Sequence, residues 1–144
     1  MRGFVITTLS VVVIGLLASM FPPRAPAADA PADRVVVMYF HRTERCPTCL
    51  KMGGYSEEAV QSGFAKQLES GAVGFYYIDF QDKKNARLAK AYGVSGPALI
   101  VAKVVDNKVA KFSNLKDIWT KVREKKVFLQ YVQDAVTGYL KPAP

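Results

Sequence analysis

The sequence predicts an α/β fold with a mixed four-stranded central sheet flanked by helices. Half of the 144 residues are hydrophobic and 22% are charged, which is enough apolar material for one core and excludes wholesale disorder. Short apolar runs rich in β-branched residues alternate along the chain with segments of helical periodicity. Glycine, proline and asparagine separate these segments, as is typical of turns. The 2 cysteines are too few for a disulfide scaffold or an all-thiolate metal site with four ligands.

The first half of the folded region predicts a strand, a helix and a break. Val35 to Phe40 is a continuous apolar run, the pattern of a strand covered on both faces. A helix is predicted to begin at Cys46, because the proline that follows is tolerated in a first turn. We expect the Gly53-Gly54 pair to kink or interrupt this helix, with a restart at Ser56, an N-cap residue type. Gly71 is a natural stop for the helical region.

The second half predicts three more strands. Val73 to Phe80 is apolar or aromatic at nearly every position, and we expect it to be buried on both faces. Asp82 caps a short helix through Tyr92, and Ala98 to Val105 forms the third strand. Lys108 to Phe112 then returns antiparallel as a lysine-rich edge strand. Crossovers through helices predict parallel pairing for the other strands.

Two helical pieces are predicted to close the chain. Asn114 is expected to cap a segment that carries Ile118, Trp119 and Val122. A last helix then places six apolar residues on one stripe. These residues are Phe128, Tyr131, Val132, Ala135, Val136 and Tyr139.

Residues 1–27 are predicted to be a signal peptide or an N-terminal membrane anchor. A basic start precedes an apolar run from Phe4 to Phe21, and small residues follow it, as in a secretory signal. The run also reaches the lower limit for a membrane-spanning helix, so a retained anchor stays open. Residues 28–33 are interpreted as a Pro/Ala-rich linker and residues 34–140 as the folded domain. We expect the domain to lie in the bacterial periplasm or on the outer face of the inner membrane, where disulfides form.

The charge of the chain does not single out a partner. The formal net charge is +8, and the basic residues of the last third lie on several predicted elements. This distribution favours a solvated face over an anion-binding patch. Export also argues against nucleic acid as a partner.

The Cys46-Pro47-Thr48-Cys49 motif carries the predicted chemistry. Two cysteines at this spacing can close a disulfide within one helical turn, and the helix N-terminus stabilises a thiolate on the first of them. Cys46 is therefore the expected nucleophile, and Cys49 the resolving thiol that releases the bound partner. Arg45 should also favour the thiolate, while Pro47 and Thr48 tune the pair.

Other interpretations of the motif are a structural disulfide and a metal site. A disulfide between such close neighbours constrains the unfolded chain little. A copper or zinc carrier that uses Cys46, Cys49 and His41 would lack a fourth soft ligand. We interpret His41 as an ordinary loop histidine at the end of the first strand, although a proton shuttle that tunes the cysteines is the alternative. The prediction is thus of no metal site and no organic cofactor.

The order of elements, with a CxxC directly after a strand and at a helix start, resembles the thioredoxin superfamily over about Arg34 to Leu140. Val94-Ser95-Gly96-Pro97 is similar to the cis-proline loop of that superfamily. The resemblance implies that Gly96 and Pro97 shape a substrate groove, and it leaves open whether the bond before Pro97 is cis, as in that loop. The chain departs from ordinary thioredoxins in having Arg45 in place of a tryptophan, Pro-Thr between the cysteines and no buried aspartate in the first strand. That aspartate helps to deprotonate the resolving thiol, so its absence argues against efficient thioredoxin-type reduction.

A more specific resemblance is to exported thioredoxin-like proteins of the nitrophenyl compound nitroreductase subunit ArsF family. It covers Tyr39 to Thr43, Arg45 to Cys49, and parts of the segment from Asn114 to Val132. The family name implies association with a reductase, although none of these residues binds flavin or a nitroaromatic compound. The sequence thus predicts an exported thiol–disulfide oxidoreductase that exchanges disulfides with a partner protein. A non-catalytic subunit or a copper or zinc carrier is the alternative.

Overall fold

The computed structural model describes residues 30–141, which form four strands and the helices around them. The strands are β1 (Arg34–His41), β2 (Val73–Asp79), β3 (Ala98–Val105) and β4 (Lys108–Asn114). The helices are α1 (Pro47–Gly63), α2 (Ala65–Glu69), α3 (Ala86–Ala91) with a preceding 3₁₀ turn (Lys83–Asn85), α4 (Ile118–Lys121) and α5 (Lys125–Leu140). The predicted signal or anchor, residues 1–27, lies outside the described residues. No helix within residues 30–141 has both the length and the hydrophobicity that crossing a bilayer requires.

One mixed sheet with the order β2-β1-β3-β4 lies between two apolar layers. Side chains alternate along β1, so Val37 and Tyr39 face α1 and α5, whereas Met38 and Phe40 face the side of α3. The predicted coverage of the first strand on both faces is therefore confirmed. The fold class is also confirmed: it is α/β with a mixed four-stranded sheet flanked by helices, in thioredoxin-like order.

The direction of β3 corrects the predicted parallel pairing. Only β2 runs parallel to β1, whereas β3 is antiparallel, with Ala98 opposite Phe40 and Val104 opposite Arg34. An eight-residue strand spans about 26 Å, but the six residues of α3 rise only about 9 Å. The connection after β2 therefore does not return to the far end of the sheet. As a result β3 begins at the end where β1 stops.

The burial of β2 also differs from the prediction. Tyr76 and Tyr77 are 51% and 36% exposed, because β2 is an edge strand of the described sheet and the short α3 leaves part of one face open. Val73 alone among the residues of β2 is buried. The aromatic run therefore reflects an edge strand that packs on α1, rather than a strand enclosed on both faces.

Helix α1 runs through the Gly53-Gly54 pair without interruption, so the predicted break and the restart at Ser56 are wrong. A Cβ atom on Gly53 would lie 2.9 Å from ring carbons of both Tyr39 and Tyr77, which means that α1 packs too closely on the sheet for a side chain here. Ser56 lies inside the helix, buried, and its hydroxyl donates a hydrogen bond to the Met52 carbonyl oxygen at 2.7 Å. Helix α1 ends at Gly63, and α2 then ends just before Gly71, the predicted stop, whose φ is 75°.

The last third of the chain follows the prediction except at one cap. Asp106 and Asn107 have φ values of 50° and 60°, as a tight hairpin turn requires. On α5, Phe128 is fully buried and lies edge to face with Tyr55, with ring centroids 5.7 Å apart. Asn114 does not cap a helix: it is the last residue of β4 and pairs with Ile100, because the strand continues beyond its predicted end at Phe112.

Candidate redox-active site

Cys46 and Cys49 lie at the start of α1, beyond the carboxyl end of β1. Cys46 is the N-cap residue, and its sulfur accepts a hydrogen bond from the Cys49 backbone N–H at 3.2 Å. Pro47 is the first helical residue, where its missing N–H leaves no bond unmade. The two sulfurs are joined in a disulfide, with Cα atoms 5.1 Å apart. Cys46 is exposed, whereas Cys49 is only 6% exposed.

The loop between β1 and α1 is held against the end of β2. Thr43 donates from its backbone N–H to the Gln81 side-chain oxygen at 3.0 Å and from its hydroxyl to Asp79 Oδ2 at 2.7 Å. The hydroxyl bond keeps the pKa of the Asp79 carboxyl below its ordinary value. Two hydrogen bonds from Thr43 therefore constrain the loop immediately before the cysteines.

Tyr39 supports the first turn of α1 from below. Its ring is fully buried, and its hydroxyl donates a hydrogen bond to the Cys49 carbonyl oxygen at 2.8 Å. Burial raises the pKa of Tyr39 to about 12. Tyr39 is therefore a neutral hydrogen-bond donor at ordinary pH and orients Cys49 without acting as a base.

Arg45 points toward β2 and its aromatic side chains. Its guanidinium carbon lies 5.1 Å from the centroid of the Tyr77 ring, within cation–π distance. Tyr77 in turn donates to Glu57 Oε2 at 2.9 Å, and burial with this hydrogen bond raises its pKa to about 12. The arrangement fixes the Arg45 charge on the β2 side of the motif. Its predicted effect on the Cys46 thiolate stays a prediction.

A surface groove of about 360 Å³ opens over the sulfurs. Besides Cys46 and Cys49 it is lined by Arg42, Glu44, Pro97 and Trp119. Pro97 thus lies beside the two cysteines, whereas Gly96 is not among the lining residues and a Cβ atom there would meet nothing within 4 Å. The exposed side chains of Pro47 and Thr48 lie on the first turn of α1 itself.

Trp119 and Tyr39 are two of the site residues that sequence reasoning missed. The sequence places Trp119 only in a helical segment far along the chain, and Tyr39 only in the first strand. The alternation of β1 assigns Tyr39 to one face, but nothing in the pattern indicates that this face lies beneath the cysteines. No signal in the sequence brings Trp119 to the groove, because that contact depends on how the chain returns after β4.

The peptide bond before Pro97 is trans, so the cis form of the superfamily loop is not found here. No cis peptide bond is present anywhere in residues 30–141. The trans form is also the ordinary preference of an X–Pro bond, by about 0.5–1 kcal/mol. Pro97 therefore contributes a ring to the groove wall in its more common isomer.

His41 is the last residue of β1 and not a loop residue, because the strand extends one position further than predicted. It is 8% exposed, and its Nδ1 donates a hydrogen bond to the Arg42 carbonyl oxygen at 2.8 Å. Its ring centroid lies 6.0 Å from that of Tyr77. Across the part of the chain that the structure describes, no three His, Cys, Asp or Glu side chains form a group that could hold a metal ion.

The raised pKa values of Tyr39 and Tyr77 predict a loss of stability at high pH. The unfolded chain releases a tyrosine proton near pH 10, whereas Tyr39 and Tyr77 keep theirs to about 12 in the folded protein. The unfolded state therefore binds fewer protons in this window, and the free energy of unfolding is expected to fall as pH rises from 10 to about 12. In urea denaturation across this window, the free energy of unfolding should fall less steeply with pH for Tyr39→Phe than for the unchanged protein. Identical slopes would contradict the raised pKa of Tyr39.

The comparisons with known proteins give structural neighbours only. No protein-family model and no curated protein matches the chain. Among solved structures, a point mutant of the thioredoxin from Halobacterium salinarum NRC-1 has 19% identity and a TM-score of 0.44, over 78% of this chain and 80% of that chain. A structure described as a malarial protein has 16% identity and a TM-score of 0.39, over 64% of this chain and 96% of that chain. The fold described above, with a cysteine pair at a helix start, supports a redox role for this protein.

Proposed function

We propose that this protein is a thiol–disulfide oxidoreductase in which Cys46 is the nucleophile and Cys49 the resolving thiol. One observation carries the proposal: an exposed sulfur at a helix N-cap is bonded to a nearly buried sulfur one turn later. In this arrangement a partner can reach the first sulfur, and the second is positioned to displace the partner. A purely structural disulfide has no need of such unequal exposure.

The N-cap position stabilises the charged form of Cys46 after reduction. The Cys49 N–H points at the Cys46 sulfur, and the 17-residue helix behind it adds its dipole. Both effects act on Cys46 and not on Cys49, whose sulfur lies within the first turn. The thiolate is the nucleophile in disulfide exchange, so the attack begins at Cys46.

The exchange proceeds in two steps. The Cys46 thiolate attacks one sulfur of a partner disulfide, forms a mixed disulfide and expels the other partner sulfur as a thiolate. The Cys49 thiolate then attacks the Cys46 sulfur, so that the Cys46–Cys49 disulfide forms and the second partner sulfur leaves. The partner gains two electrons, and this protein loses two. The same steps in reverse oxidise a partner dithiol. When the steps run forward, a second protein with a dithiol reduces the Cys46–Cys49 disulfide again.

Tyr39 positions the resolving cysteine. Its bond to the Cys49 carbonyl, together with the close packing at Gly53, fixes the first turn of α1 on the sheet. We propose this as the local substitute for the buried aspartate that the first strand lacks, in the limited sense that Tyr39 orients Cys49. Since its pKa is about 12, proton transfer to the departing thiolates falls to solvent in the open groove.

The location and partners form a further part of the proposal. A basic start, an apolar run and small residues in the first 27 positions support export, and the first segment then either is cleaved or stays as an anchor. An oxidising compartment suits a protein whose two cysteines are bonded. The resemblance to the ArsF family points to a reductase partner, with which the groove around Cys46 would exchange disulfides.

Trapping of a mixed disulfide tests the proposal. The Cys49→Ser variant is expected to accumulate covalent partners through Cys46, because the step that releases them is removed. The complexes should resolve on non-reducing gels and disappear with dithiothreitol, and mass spectrometry should place the bond at Cys46. The matched Cys46→Ser variant leaves only the buried sulfur and is expected to trap little.

Two outcomes would overturn the proposal. Equal trapping by the two variants would show that the cysteines have no division of roles. The metal-carrier alternative would be favoured by two results together. The unchanged protein would exchange with no protein disulfide, and it would bind copper or zinc in a way that His41→Ala abolishes. The titration with metal alone is therefore run on the same preparations.

A further inference from the structure

We propose that Trp119 is a specificity-determining residue, whose indole packs against a bulky apolar side chain close to the reacting cysteine of an extended polypeptide substrate. This inference rests on the proposed function and names the kind of substrate that the site would take. Its starting observation is that the groove over the Cys46–Cys49 disulfide has Trp119 in its wall.

The fold fixes Trp119 at the groove through the residues around it. The Leu115 N–H donates to the Leu99 carbonyl oxygen at 2.8 Å, which ties the segment before α4 to the start of β3. Ile118 is fully buried in the core beneath α1 and α5. This anchoring places α4 beside Pro97, the residue that precedes β3. Trp119 thus directly follows residues that are anchored to β3 and to the core.

Trp119 itself contributes little to the core. It is 47% exposed, whereas its neighbour Ile118 is 0% exposed. An indole is a large apolar group that would be more stable away from water, so its exposure is unfavourable for the isolated protein. Tryptophan is also enriched among the few residues that dominate the energy of protein interfaces. The position beside the sulfurs therefore favours a role in binding.

The remaining groove residues indicate the chemistry of the occupant. Arg42 and Glu44 are both exposed and carry opposite charges, so the groove has no net charge from its lining residues. A small charged disulfide such as that of glutathione, which carries several carboxylates, finds one arginine and one opposing carboxylate. Pro97 and Trp119 instead offer two apolar rings next to the bonded sulfurs. A polypeptide cysteine flanked by phenylalanine or leucine fits this lining better than one flanked by serine or lysine.

Exchange with matched substrates tests the inference. Three peptides that are identical except at one position would have phenylalanine, serine or lysine next to a cysteine that forms a mixed disulfide with the same small thiol. Glutathione disulfide would be the small substrate. For Trp119→Ala, the second-order rate constant with the phenylalanine peptide is expected to fall about tenfold. The rates with the serine peptide and with glutathione disulfide should fall by a clearly smaller factor, so that most of the preference for the phenylalanine peptide is lost. Trp119→Phe should restore most of the lost rate, because it keeps an aromatic ring.

A surface control separates groove contacts from general effects of removing an apolar group. Val127 is 42% exposed on α5 and does not line the groove, so Val127→Ala should leave all four rates unchanged. The inference would be overturned if the rate constants of Trp119→Ala fell by the same factor with every substrate, or did not fall with any of them. A preference of the unchanged protein for the lysine peptide would overturn it as well. Failure of the unchanged protein with all substrates, including glutathione disulfide, would instead overturn the proposed function.

Binding can also be measured without any redox step. The chain has 1 tryptophan, so fluorescence excited at wavelengths that tyrosine does not absorb reports Trp119 alone. In the Cys46→Ser/Cys49→Ser double variant, the reduced phenylalanine peptide is expected to shift the emission to shorter wavelength, because its side chain removes the indole from water. The serine peptide at the same concentration should leave the spectrum unchanged. Equal spectra with the two peptides would contradict the proposed contact even if the exchange rates differed.

Discussion

In the reduced protein, iodoacetamide is expected to label Cys46 about a hundredfold faster than Cys49, a ratio that corresponds to about 2.8 kcal/mol of free energy for local opening around the buried thiol. Cys46 is exposed at the N-cap of α1, whereas Cys49 is 6% exposed and its carbonyl is held by Tyr39. The rate at Cys46 should also rise with a midpoint below the pH of about 8.5 that is typical of free cysteine, since the Cys49 N–H and the helix dipole favour the thiolate. Mass spectrometry after timed quenching at several pH values would give both quantities.

The two single variants supply the control for this measurement. In Cys49→Ser the fast rate should remain, and in Cys46→Ser only the slow rate should be seen. Unfolding in urea should bring both cysteines to the rate of a free thiol. A Cys46 that is as slow as Cys49 in the folded protein, or that titrates like free cysteine, would contradict the assigned roles.

Replacement of Gly53 by alanine is expected to lower the free energy of unfolding by about 1–3 kcal/mol. The added Cβ would lie 2.9 Å from ring carbons of Tyr39 and Tyr77, so either the rings or the helix must move. A shift of the helix would also disturb the bond from Tyr39 to Cys49, which predicts faster alkylation of Cys49 in this variant. Urea denaturation and the alkylation assay measure the two effects.

Gly54 is the matched control, one position further along the same helix. A Cβ atom there meets nothing within 4 Å, so Gly54→Ala should stabilise the protein by about 0.5–1 kcal/mol through its better helix propensity. Opposite signs at adjacent glycines would confirm that the packing of α1 on Tyr39 and Tyr77, and not helix propensity, decides the cost at Gly53. Destabilisation of similar size in both variants would show that the close approach is not the cause.

Much of the fold and the central pair of the site follow from local features of the sequence. The apolar run through Val37, the stripe on α5 around Val132 and the Asp106-Asn107 turn each predict one element from nearby residues, and the structure contains all three. The CxxC also follows from local features, because a helix start and a three-residue spacing already place Cys46 outside and Cys49 inside. Periodicity and capping act within a few residues, so they are visible without knowledge of the rest of the chain.

By itself, then, the sequence determined the element order, the cysteine pair and the presence of two buried layers. Only the tertiary structure decided that β3 runs antiparallel to β1, that α1 continues through Gly53 and that Trp119 reaches the sulfurs. Each of these depends on distances between segments far apart in the chain: the short reach of α3, the contact of a helix with two tyrosine rings, and the bond from Leu115 to Leu99. Such contacts form only when the whole chain has packed, since no local propensity encodes the separation between elements that meet in space.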